Sequence, residues 1–339
     1  MPENAVRWGV LSTARIAATT FLPALREAGR GRAVLVAGRD AGRAAEFATA
    51  NGVERSVEGY AAALADPEVD AIYVAMPNAL HAQWATAALR AGKPVFCEKP
   101  LCISAAETLD VLEVAAEAGQ PLWEGFVFAF QPQLARVREL IAGGAIGTPR
   151  EVQAQFHAPL DDAADIRFSG ELGGGVVADL ACYPIHLARL VFGTDDAPAE
   201  ATAARAARVL GTGGVEVETW GSVDFTDDRR LLFSASFRGR LDAAARILGT
   251  EGVIEIDHPY AARPVDTIRV HTDSGTTLER YGTDELPFAD IIRHVHGVLL
   301  DGAAPRHLAL TDSFGTAAIL DAVRAAGSDR GVAVRQQPS

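Results

Sequence analysis

The sequence has too few basic residues to balance its acidic ones. Lysine and arginine total 31 against 44 aspartate and glutamate residues, which gives a formal net charge of −13 at pH 7. Nucleic acids and anionic membrane surfaces bind proteins through a basic face. We therefore expect neither of them as a partner of this chain.

Long apolar runs and cysteine pairs are also missing. No stretch reaches the roughly 18 consecutive apolar residues that a membrane-spanning helix needs, and the N-terminal residues lack the apolar segment of a signal peptide. The three cysteines, Cys97, Cys102 and Cys182, form no C-x-x-C pair. We expect buried thiols in a reducing compartment and a cytoplasmic protein.

The length of 339 residues predicts two domains rather than one. Short apolar runs alternate with helical patterns over residues 1–125, which predicts an α/β dinucleotide-binding Rossmann domain with a parallel sheet. Residues 126–339 contain many strand-like runs between turns. We expect there an α+β domain for substrate binding and oligomerisation, with a large, open and mainly antiparallel sheet.

The apolar periodicity also predicts individual elements. In the first domain we expect strands at residues 6–11, 33–37, 70–75, 94–97 and 121–123. Helices are expected over 15–28, up to 47, over 79–91 and, capped by Ser104, up to 118. In the second domain we expect strands at 151–157, 199–209, 216–225, 231–237, 244–248, 253–256, 267–271 and 276–280. Helices are expected there at 132–142, 174–192, 287–300 and 312–326.

The exit of the first strand has features of a diphosphate-binding turn. Residues 6–17 run from a strand through a tight turn into a helix, which aims free backbone N–H groups and the helix dipole at a phosphate. Of the three glycines in G-x-G-x-x-G only Gly9 is present, with Leu11 and Ala14 in the other places. An ordinary strand-to-helix turn therefore stays open as an alternative.

The residues after the second strand bear on the choice of cofactor. A carboxylate there favours the free ribose 2′-hydroxyl of NAD, whereas a guanidinium favours the 2′-phosphate of NADP. Arg39 comes first and Arg43 follows one helical turn later, so we expect NADP. Asp40 keeps NAD possible, and a solvated surface arginine is the other interpretation.

Two charged residues follow the fourth predicted strand, at a position where they would be desolvated. Such desolvation is costly and indicates that the charges have a function there. Glu98 and Lys99 precede Pro100 at the carboxyl end of that strand, the edge at which open α/β sheets bind ligands. Lys99 can hydrogen-bond a substrate hydroxyl there, with its pKa lowered by burial beside a cationic nicotinamide ring. A surface lysine paired with Glu98 is the alternative.

A glycine-led helix carries a second group of polar residues. Glycines 173–175 let the chain approach a ligand closely before the helix begins. Asp179, Tyr183 and His186 then follow at spacings that place them on one helix face. A carboxylate, a phenol and an imidazole on one stripe of an apolar helix indicate a site, and a buried polar network without a catalytic role is the alternative.

Five segments together carry a family resemblance: Trp8 to Ala17, Pro77-Asn78-x-x-His81, Glu98 to Leu101, Glu124-Gly125-Phe126 and Gly173-Gly174-Gly175-x-x-x-Asp179. In this order, and over nearly the whole chain, they resemble the Gfo/Idh/MocA oxidoreductase family. Within the family, the tyrosine at position 183, four residues after Asp179, makes the sequence most similar to one branch. That branch holds dihydrodiol dehydrogenase, xylose dehydrogenase and the sugar 3-ketoreductases.

The resemblance implies roles for particular residues. Lys99 and Tyr183 would be the catalytic acid/base pair, with Asp179 orienting the substrate or the catalytic groups. NADP, or else NAD, would lie in a cleft lined by Gly9, Ser12, Thr13, Ala14, Arg15, Ile16, Arg39, Pro77, Asn78, His81 and Glu98. A carbohydrate-like substrate would contact Lys99, Phe126, Arg167, Asp179, Tyr183 and His186. The open sheet would form a homodimer or homotetramer.

Three departures from the family pattern stand out. Ser12 replaces a glycine, which requires its side chain to point away from the diphosphate. Gly38 replaces a serine beside the adenosine ribose and so removes one donor to a 2′-phosphate. Ala129 and Gln131 replace an arginine and a histidine near the substrate pocket, so we expect an altered or bulkier substrate.

The expected activity is reversible hydride transfer between nicotinamide and a secondary alcohol or ketone of a sugar or sugar-like substrate. Tyr183 would transfer the hydroxyl proton while Lys99 lowers its pKa and stabilises the alkoxide, although Lys99 as proton carrier is equally compatible. Two other functions stay open: sugar modification by tightly bound NAD through a transient 3-keto intermediate, and non-catalytic regulation. We expect no metal site, and we interpret His294-x-His296 as helix surface or interface.

Overall fold

The chain folds into two sheets that share a core with the helices between them. The computed structural model describes residues 5–194, 197–211, 213–261, 263, 266–281, 284–326 and 328–329. The first sheet has six parallel strands in the order β3-β2-β1-β4-β5-β6. The order reverses between β1 and β4, and doubly wound sheets bind ligands in the crevice at that point. The predicted Rossmann architecture is therefore confirmed.

Short helices cover both faces of this sheet, which is why β4 is buried along its whole length. The strands are β1 (Val6–Leu11), β2 (Gly31–Gly38), β3 (Arg55–Glu58), β4 (Ala71–Val74), β5 (Val95–Cys97) and β6 (Leu122–Glu124). The helices are α1 (Leu22–Ala28), α2 (Ala41–Asn51), α3 (Tyr60–Ala65), α4 (His81–Arg90) and α5 (Ala105–Ala118). The Ser104 side chain caps α5 by accepting a hydrogen bond from the Glu107 N–H, as predicted.

The second sheet has nine strands in the order β14-β13-β12-β11-β7-β10-β9-β8-β15. Two neighbouring pairs, β10 with β7 and β15 with β8, are parallel, and the others are antiparallel. The large, mainly antiparallel sheet is thus confirmed. Its strands are β7 (Pro149–His157), β8 (Ala201–Leu210), β9 (Glu216–Phe225), β10 (Arg229–Ser236), β11 (Asp242–Gly249), β12 (Gly252–Asp257), β13 (Thr267–Thr272), β14 (Gly275–Arg280) and β15 (Ser328–Asp329).

The last two helices of the chain pack back onto the first sheet. The helices of this half are α6 (Pro132–Ala142), α7 (Cys182–Phe192), α8 (Ala289–Asp301) and α9 (Ala309–Ala326). Helix α8 contacts α1 and β1, and α9 contacts α5 and β6. The indole N–H of Trp8 donates to Nε2 of buried His296 at 3.0 Å, so the His294-x-His296 pair belongs to an interface, as interpreted.

Candidate active site

The turn after β1 has the backbone that a diphosphate-binding turn needs. Ser12 has a φ of 112°, in the region that favours glycine. Its N–H donates to the Ala37 carbonyl at 3.0 Å, which fixes the turn against β2. A helix then begins and passes through the π-helical turn Ala17–Phe21. Because the first N–H groups of a helix have no partner within it, residues 13–16 present donors that suit phosphate oxygens.

Gly9 does not lie in that turn. It is a buried residue within β1, where a Cβ would come within 2.9 Å of a Val69 methyl and 3.0 Å of the Ile72 side chain. The missing side chain therefore makes room for core packing. The expectation that Gly9 lines the cofactor cleft stays a prediction, and the packing at Gly9 shows only that no larger residue fits there.

The end of β2 separates the two residues that bear on the cofactor. Asp40 is the N-cap of α2, and its carboxylate accepts the Arg43 N–H at 2.8 Å. Arg39 is exposed beside it. The Asp40 carboxylate is therefore committed to the helix, whereas the Arg39 guanidinium faces solvent at the edge of the crevice.

The loop after β4 is held by the fully buried His81. Its two ring nitrogens lie 2.8 Å from the carbonyl oxygens of Met76 and Pro100. The ring thus braces the loop after β4 against the loop after β5. Since the side chain is 0% exposed, His81 does not line the cleft itself, and the expectation of a direct cofactor contact is corrected to a bracing role.

A tyrosine on β4 of the parallel sheet binds the Glu98 carboxylate. The hydroxyl of buried Tyr73 donates to Oε1 of Glu98 at 2.6 Å. Burial raises the pKa of the Glu98 carboxyl, and it outweighs the lowering effects of Tyr73 and Lys99. The alternative in which Lys99 pairs with Glu98 is wrong, because the phenol of Tyr73 takes up this carboxylate and Lys99 points elsewhere.

Lys99 reaches across to the glycine-led helix of the second half. Its Nζ donates to Oδ1 of Asp179 at 2.7 Å and to the Asp179 carbonyl at 2.8 Å. Only 11% of the Lys99 side chain is exposed. Burial lowers the pKa of this ammonium, but the charge of Asp179, with Tyr183 and Cys182, outweighs burial and raises it. Burial is therefore not enough to lower the Lys99 pKa at this site, and the predicted effect of a bound cationic nicotinamide stays a prediction.

Arg167 binds the other oxygen of the same carboxylate. Its Nε donates to Oδ2 of Asp179 at 2.7 Å, and its Nη1 lies 3.2 Å from Oδ1 of Asp165. Burial raises the pKa of Asp179, yet Lys99 and Arg167 outweigh it and lower that pKa. The guanidinium is 38% exposed, so it also faces the opening of the site.

Tyr183 lies beside Lys99 within a group of aromatic rings. Nζ of Lys99 is 5.0 Å from the centroid of the Tyr183 ring. Burial raises the pKa of the Tyr183 phenol, and the positive charge of Lys99 opposes that rise. Four rings surround the phenol with centroids 5.1–5.9 Å away: Phe126, Phe128, Phe156 and Tyr260. The structure thus brings a phenol and a charged amine from two distant segments to one point.

Two family models match this chain. Residues 6–126 match the oxidoreductase family model with an NAD-binding Rossmann fold, and residues 134–255 match the GFO/IDH/MocA C-terminal domain. The chain belongs to the GFO/IDH/MocA oxidoreductase family. The resemblance inferred from the sequence is thereby confirmed.

Several relatives of this GFO/IDH/MocA protein are named for sugars or sugar nucleotides. It is 36% identical over 282 residues to dTDP-3,4-didehydro-2,6-dideoxy-alpha-D-glucose 3-reductase of Streptomyces violaceoruber, covering 80% of this chain and 79% of the relative. It is 35% identical to D-xylose 1-dehydrogenase (NADP(+)) 2 of Haloferax volcanii, covering 76% and 77%. A 3-ketoreductase from Actinomadura kijaniata, crystallised with NADP and TDP-benzene, superposes with a TM-score of 0.87 at 30% identity, covering 96% and 99%.

The glycine run of this GFO/IDH/MocA member serves contacts within the chain. A Cβ on Gly173, whose φ is +75°, would come within 2.6 Å of Ile103 and 3.0 Å of the Ala79 nitrogen. The Asn78 amide donates to the Gly173 carbonyl at 2.9 Å. A Cβ on Gly174 would meet the Arg167 carbonyl oxygen at 2.4 Å. The expected close approach is therefore to the loop after β4 and to Arg167, because these segments fill the space that glycine leaves.

His186 does not face the site with Asp179 and Tyr183. It is 1% exposed and stacks on Phe126 with centroids 4.0 Å apart. Its ring nitrogens lie 3.1 Å from Oγ1 of Thr316 and 3.2 Å from Oδ2 of Asp312, both on α9. The expectation that His186 and Phe126 contact substrate is corrected, because α9 encloses this part of α7 and uses the imidazole.

The segment that departs from the family pattern is also enclosed. Ala129 is 7% exposed and Gln131 is 2% exposed, and both belong to the buried stretch before α6. These side chains pack in the interior rather than at the opening of the site. The two positions at which this chain departs from the family pattern therefore lie in the protein interior.

Three charged residues at this site were missed from the sequence. Asp165 pairs with Arg167, Asp312 pairs with Arg189 across α9 and α7, and Glu124 accepts the Leu101 N–H at 2.8 Å. Glu124 had a usable signal, since it follows a buried strand just as Glu98 does. Asp312 had none, because Arg189 is 123 residues away, and Asp165 had none, because the short 3-10 helix Ile166–Phe168 that holds Arg167 has too few residues to show a period.

Two further observations concern the described part of the chain. Within it, no helix combines the length and the apolar character that a membrane span requires. No group of three or more histidine, cysteine, aspartate or glutamate side chains is arranged there to hold a metal ion. The three cysteines are buried free thiols, as expected.

Proposed function

We propose that this protein is an NADP-dependent oxidoreductase that transfers a hydride between nicotinamide and a secondary alcohol or ketone of a sugar-like substrate. The observation that carries the proposal is the meeting of Lys99 and Tyr183, with Nζ 5.0 Å from the ring centroid. This point lies past the carboxyl end of β5, on the ligand-binding side of the parallel sheet. The names of the relatives, a sugar 3-reductase and a sugar dehydrogenase, support the substrate class.

The residues at the crevice fit NADP. Residues 13–16 supply backbone donors for the diphosphate, and Arg39 supplies a guanidinium for the 2′-phosphate. Asp40 is used as a helix cap and so is not offered to a free ribose hydroxyl. When bound, the nicotinamide accepts or supplies the hydride. Pro77, Asn78 and Glu98 follow the strands that flank the middle of the crevice.

The proton and the charge are assigned to different side chains. Asp179 raises the pKa of Lys99, so its ammonium stays charged near neutral pH and acts as a fixed cation. Tyr183 carries the hydroxyl proton, because its phenol is the neutral donor beside that cation. In the ketone-reducing direction the phenol donates its proton to the substrate oxygen as the hydride reaches the carbon, and Lys99 stabilises negative charge on that oxygen. Arg167 and Asp179 orient the sugar hydroxyls.

We also propose that the second sheet mediates oligomerisation. Trp220 and Leu232 are exposed by 42% and 39%. Trp220 pairs with Ser234, two residues from Leu232, so both apolar side chains project from one face of β9 and β10. An exposed tryptophan and an exposed leucine on one sheet face can pack against a second copy of this chain. Light scattering that gives a monomer at micromolar concentration contradicts this part.

A substrate screen tests the proposed activity. Pyranoses, inositols, keto-sugars and sugar nucleotides are offered with NADP(H) and with NAD(H), and reduced nicotinamide is followed by absorbance. We expect turnover with NADP(H) and a loss of at least about 100-fold in Lys99→Ala and Tyr183→Phe, with NADP binding retained. Release of the cofactor during purification is also expected, whereas tight retention favours the transient 3-keto route. Unchanged turnover in both variants contradicts the proposal.

A further inference from the structure

A buried carboxylate that takes no part in the proposed hydride transfer lies under the Lys99 loop. Glu124 ends β6 and is 8% exposed. In the sheet register it pairs with Cys97, the last residue of β5 and two positions before Lys99. The end of β6 therefore lies directly beside the end of the strand that leads to Lys99.

Glu124 holds that backbone directly. Its Oε1 accepts the Leu101 N–H at 2.8 Å in a buried hydrogen bond. The next residue, Gly125, fits beneath the same loop, since a Cβ there would lie 3.1 Å from the Lys99 nitrogen and 3.2 Å from the Glu98 Cα. This hydrogen bond fixes the backbone two residues after Lys99.

The charges of Asp312 on α9 and Arg189 on α7 both act on the Glu124 carboxyl, so it lies close to these two helices. Arg189 on α7 donates to Oδ1 of Asp312 on α9 at 3.1 Å and to Oγ1 of Thr316 at 2.7 Å. Helix α7 also carries Tyr183. Glu124 thus lies between the loop that bears the amine and the polar network that fixes the helix bearing the phenol.

We propose that Glu124 is a positioning residue that keeps the Lys99 amine aligned with the Tyr183 phenol by anchoring the Leu101 backbone. The inference rests on the proposed function, because it assumes that Lys99 and Tyr183 act together. Glu124 touches neither reacting group, and its effect passes through the backbone between Lys99 and Leu101. Misplacement of a catalytic group by about 1 Å can lower turnover by about 100-fold.

The anchor also changes its charge near neutral pH. Burial raises the pKa of Glu124 to about 7, with a further rise from Asp312, and it outweighs the lowering by Ser313, the Leu101 N–H and Arg189. The charged and titratable groups that interact with it are Asp312 on α9, Arg189 and Cys182 on α7, Cys97 on β5, and Cys102 beyond Leu101. An ionised carboxylate accepts the stronger hydrogen bond, so kcat should fall as pH drops through about 7.

The test compares Glu124→Gln and Glu124→Ala with the wild-type enzyme between pH 5.5 and 9. The assay uses NADP(H) and the pyranose that gives the highest rate in the screen, with Lys99→Ala and Tyr183→Phe measured in parallel. Glutamine keeps an oxygen acceptor but cannot ionise, so we expect no decline near pH 7 and a kcat that stays, at every pH, close to the level that wild type reaches below pH 7. Alanine removes the anchor, so we expect kcat to fall at least about tenfold with NADP affinity unchanged.

Two results overturn the positioning role: a decline near pH 7 that persists in Glu124→Gln, or wild-type turnover in Glu124→Ala. Should Glu124→Ala fail to fold, the pH profile of Glu124→Gln decides alone, because a merely structural role leaves that profile unchanged. Wild-type turnover in Lys99→Ala and Tyr183→Phe refutes the proposed function instead. Loss of turnover in those two variants, with the decline kept in Glu124→Gln, refutes only the role of Glu124.

Discussion

A buried lysine ordinarily loses its proton, because burial disfavours the charged form. Lys99 keeps its proton because it donates to the Asp179 carboxylate at 2.7 Å. Asp179 is in turn kept ionised by Lys99 and by Arg167. These three side chains form a unit that fixes a positive charge beside Tyr183. The sequence alone did not show that the charge of Asp179 would outweigh the effect of burial on the Lys99 pKa.

Removing the carboxylate of this unit changes the pH dependence of the enzyme. In Asp179→Asn, burial remains while the opposing charge is gone, so the pKa of Lys99 should fall. We expect turnover to drop at least about tenfold and a new decline in rate on the alkaline side as Lys99 loses its proton. Rates between pH 6 and 10 measure this effect, and unchanged NADP binding serves as the control. A pH profile that matches the wild type contradicts the account of Lys99 as a fixed cation.

Arg39 and Asp40, which follow β2, provide a matched pair of variants that tests the preference for NADP over NAD. Arg39→Ala removes the exposed guanidinium, and a lost charge-assisted contact corresponds to a rise in the Kd for NADP of about 10-fold or more. The Kd for NAD should change little. Asp40→Ala should cost about 1 kcal/mol of stability by removing the α2 cap, without changing the preference for NADP. Equal losses of NADP and NAD binding in Arg39→Ala speak against the assignment.

Ser12 carries backbone strain that glycine relieves. Its φ of 112° is unfavourable for a residue with a Cβ. We expect Ser12→Gly to stabilise the protein by about 1 kcal/mol. Ser12→Ala keeps the Cβ and should show no such gain, which makes it the control in thermal or denaturant unfolding. Equal stability of the glycine and alanine variants contradicts the strain argument.

At the scale of elements, apolar periodicity was sufficient for the long strands and helices. Strand β9 (Glu216–Phe225) and helix α6 (Pro132–Ala142) have the bounds that the pattern predicts. Strand β3 (Arg55–Glu58) and helix α3 (Tyr60–Ala65) were missed, because an edge strand with no fully buried residue and a six-residue helix show little periodicity. The π-helical turn Val177–Ala181 was missed as well, since it has the same residues as an ordinary helix.

The contact between the two halves depends on a glycine that has no room for a side chain. Gly173→Ala combines a positive φ with a Cβ 2.6 Å from Ile103. We expect a loss of at least about 2 kcal/mol in stability, together with lower turnover, because the segment that leads to Asp179 must shift. Gly144 also has a positive φ but nothing within 4 Å of a Cβ, so Gly144→Ala should cost only about 1 kcal/mol.

The readout for this pair is urea unfolding combined with kcat. Gly144→Ala is expected to keep wild-type turnover, because Gly144 is exposed beyond the end of α6. Equal costs for the two variants would show that the close packing at Gly173 contributes nothing beyond backbone strain.

At the scale of the whole molecule, the site joins segments that are far apart in sequence. Lys99 and Asp179 are separated by 80 residues. The parallel-sheet topology nevertheless predicted that Lys99 lies at the site, and the helical spacing predicted the same for Asp179. Sequence reasoning failed for His81 and His186, because their surroundings come from Pro100 and from α9. Residue type and spacing predicted which segments converge, whereas the direction of each side chain depended on packing from elements that the local pattern does not include.

The return of α8 and α9 to the first sheet packs the two halves of the chain against each other. Trp8 on β1 contacts His296 on α8, and Trp123 on β6 forms a bridge to Leu308 just before α9. The core cluster that contains Trp8 also contains residues of the second sheet, such as Ile254. The relative placement of Lys99 and Tyr183 therefore depends on the packing of the complete chain.

A double-mutant cycle on Lys99 and Tyr183 tests the central claim most directly. Lys99→Ala, Tyr183→Phe and the double variant are compared by single-turnover rates at saturating NADP(H), with cofactor affinity measured for each. If the two groups act together in one step on the same substrate oxygen, each single variant loses most of the rate and the double variant is hardly slower than the worse single. Rate losses that simply multiply, or single variants as fast as the wild type, would contradict the account.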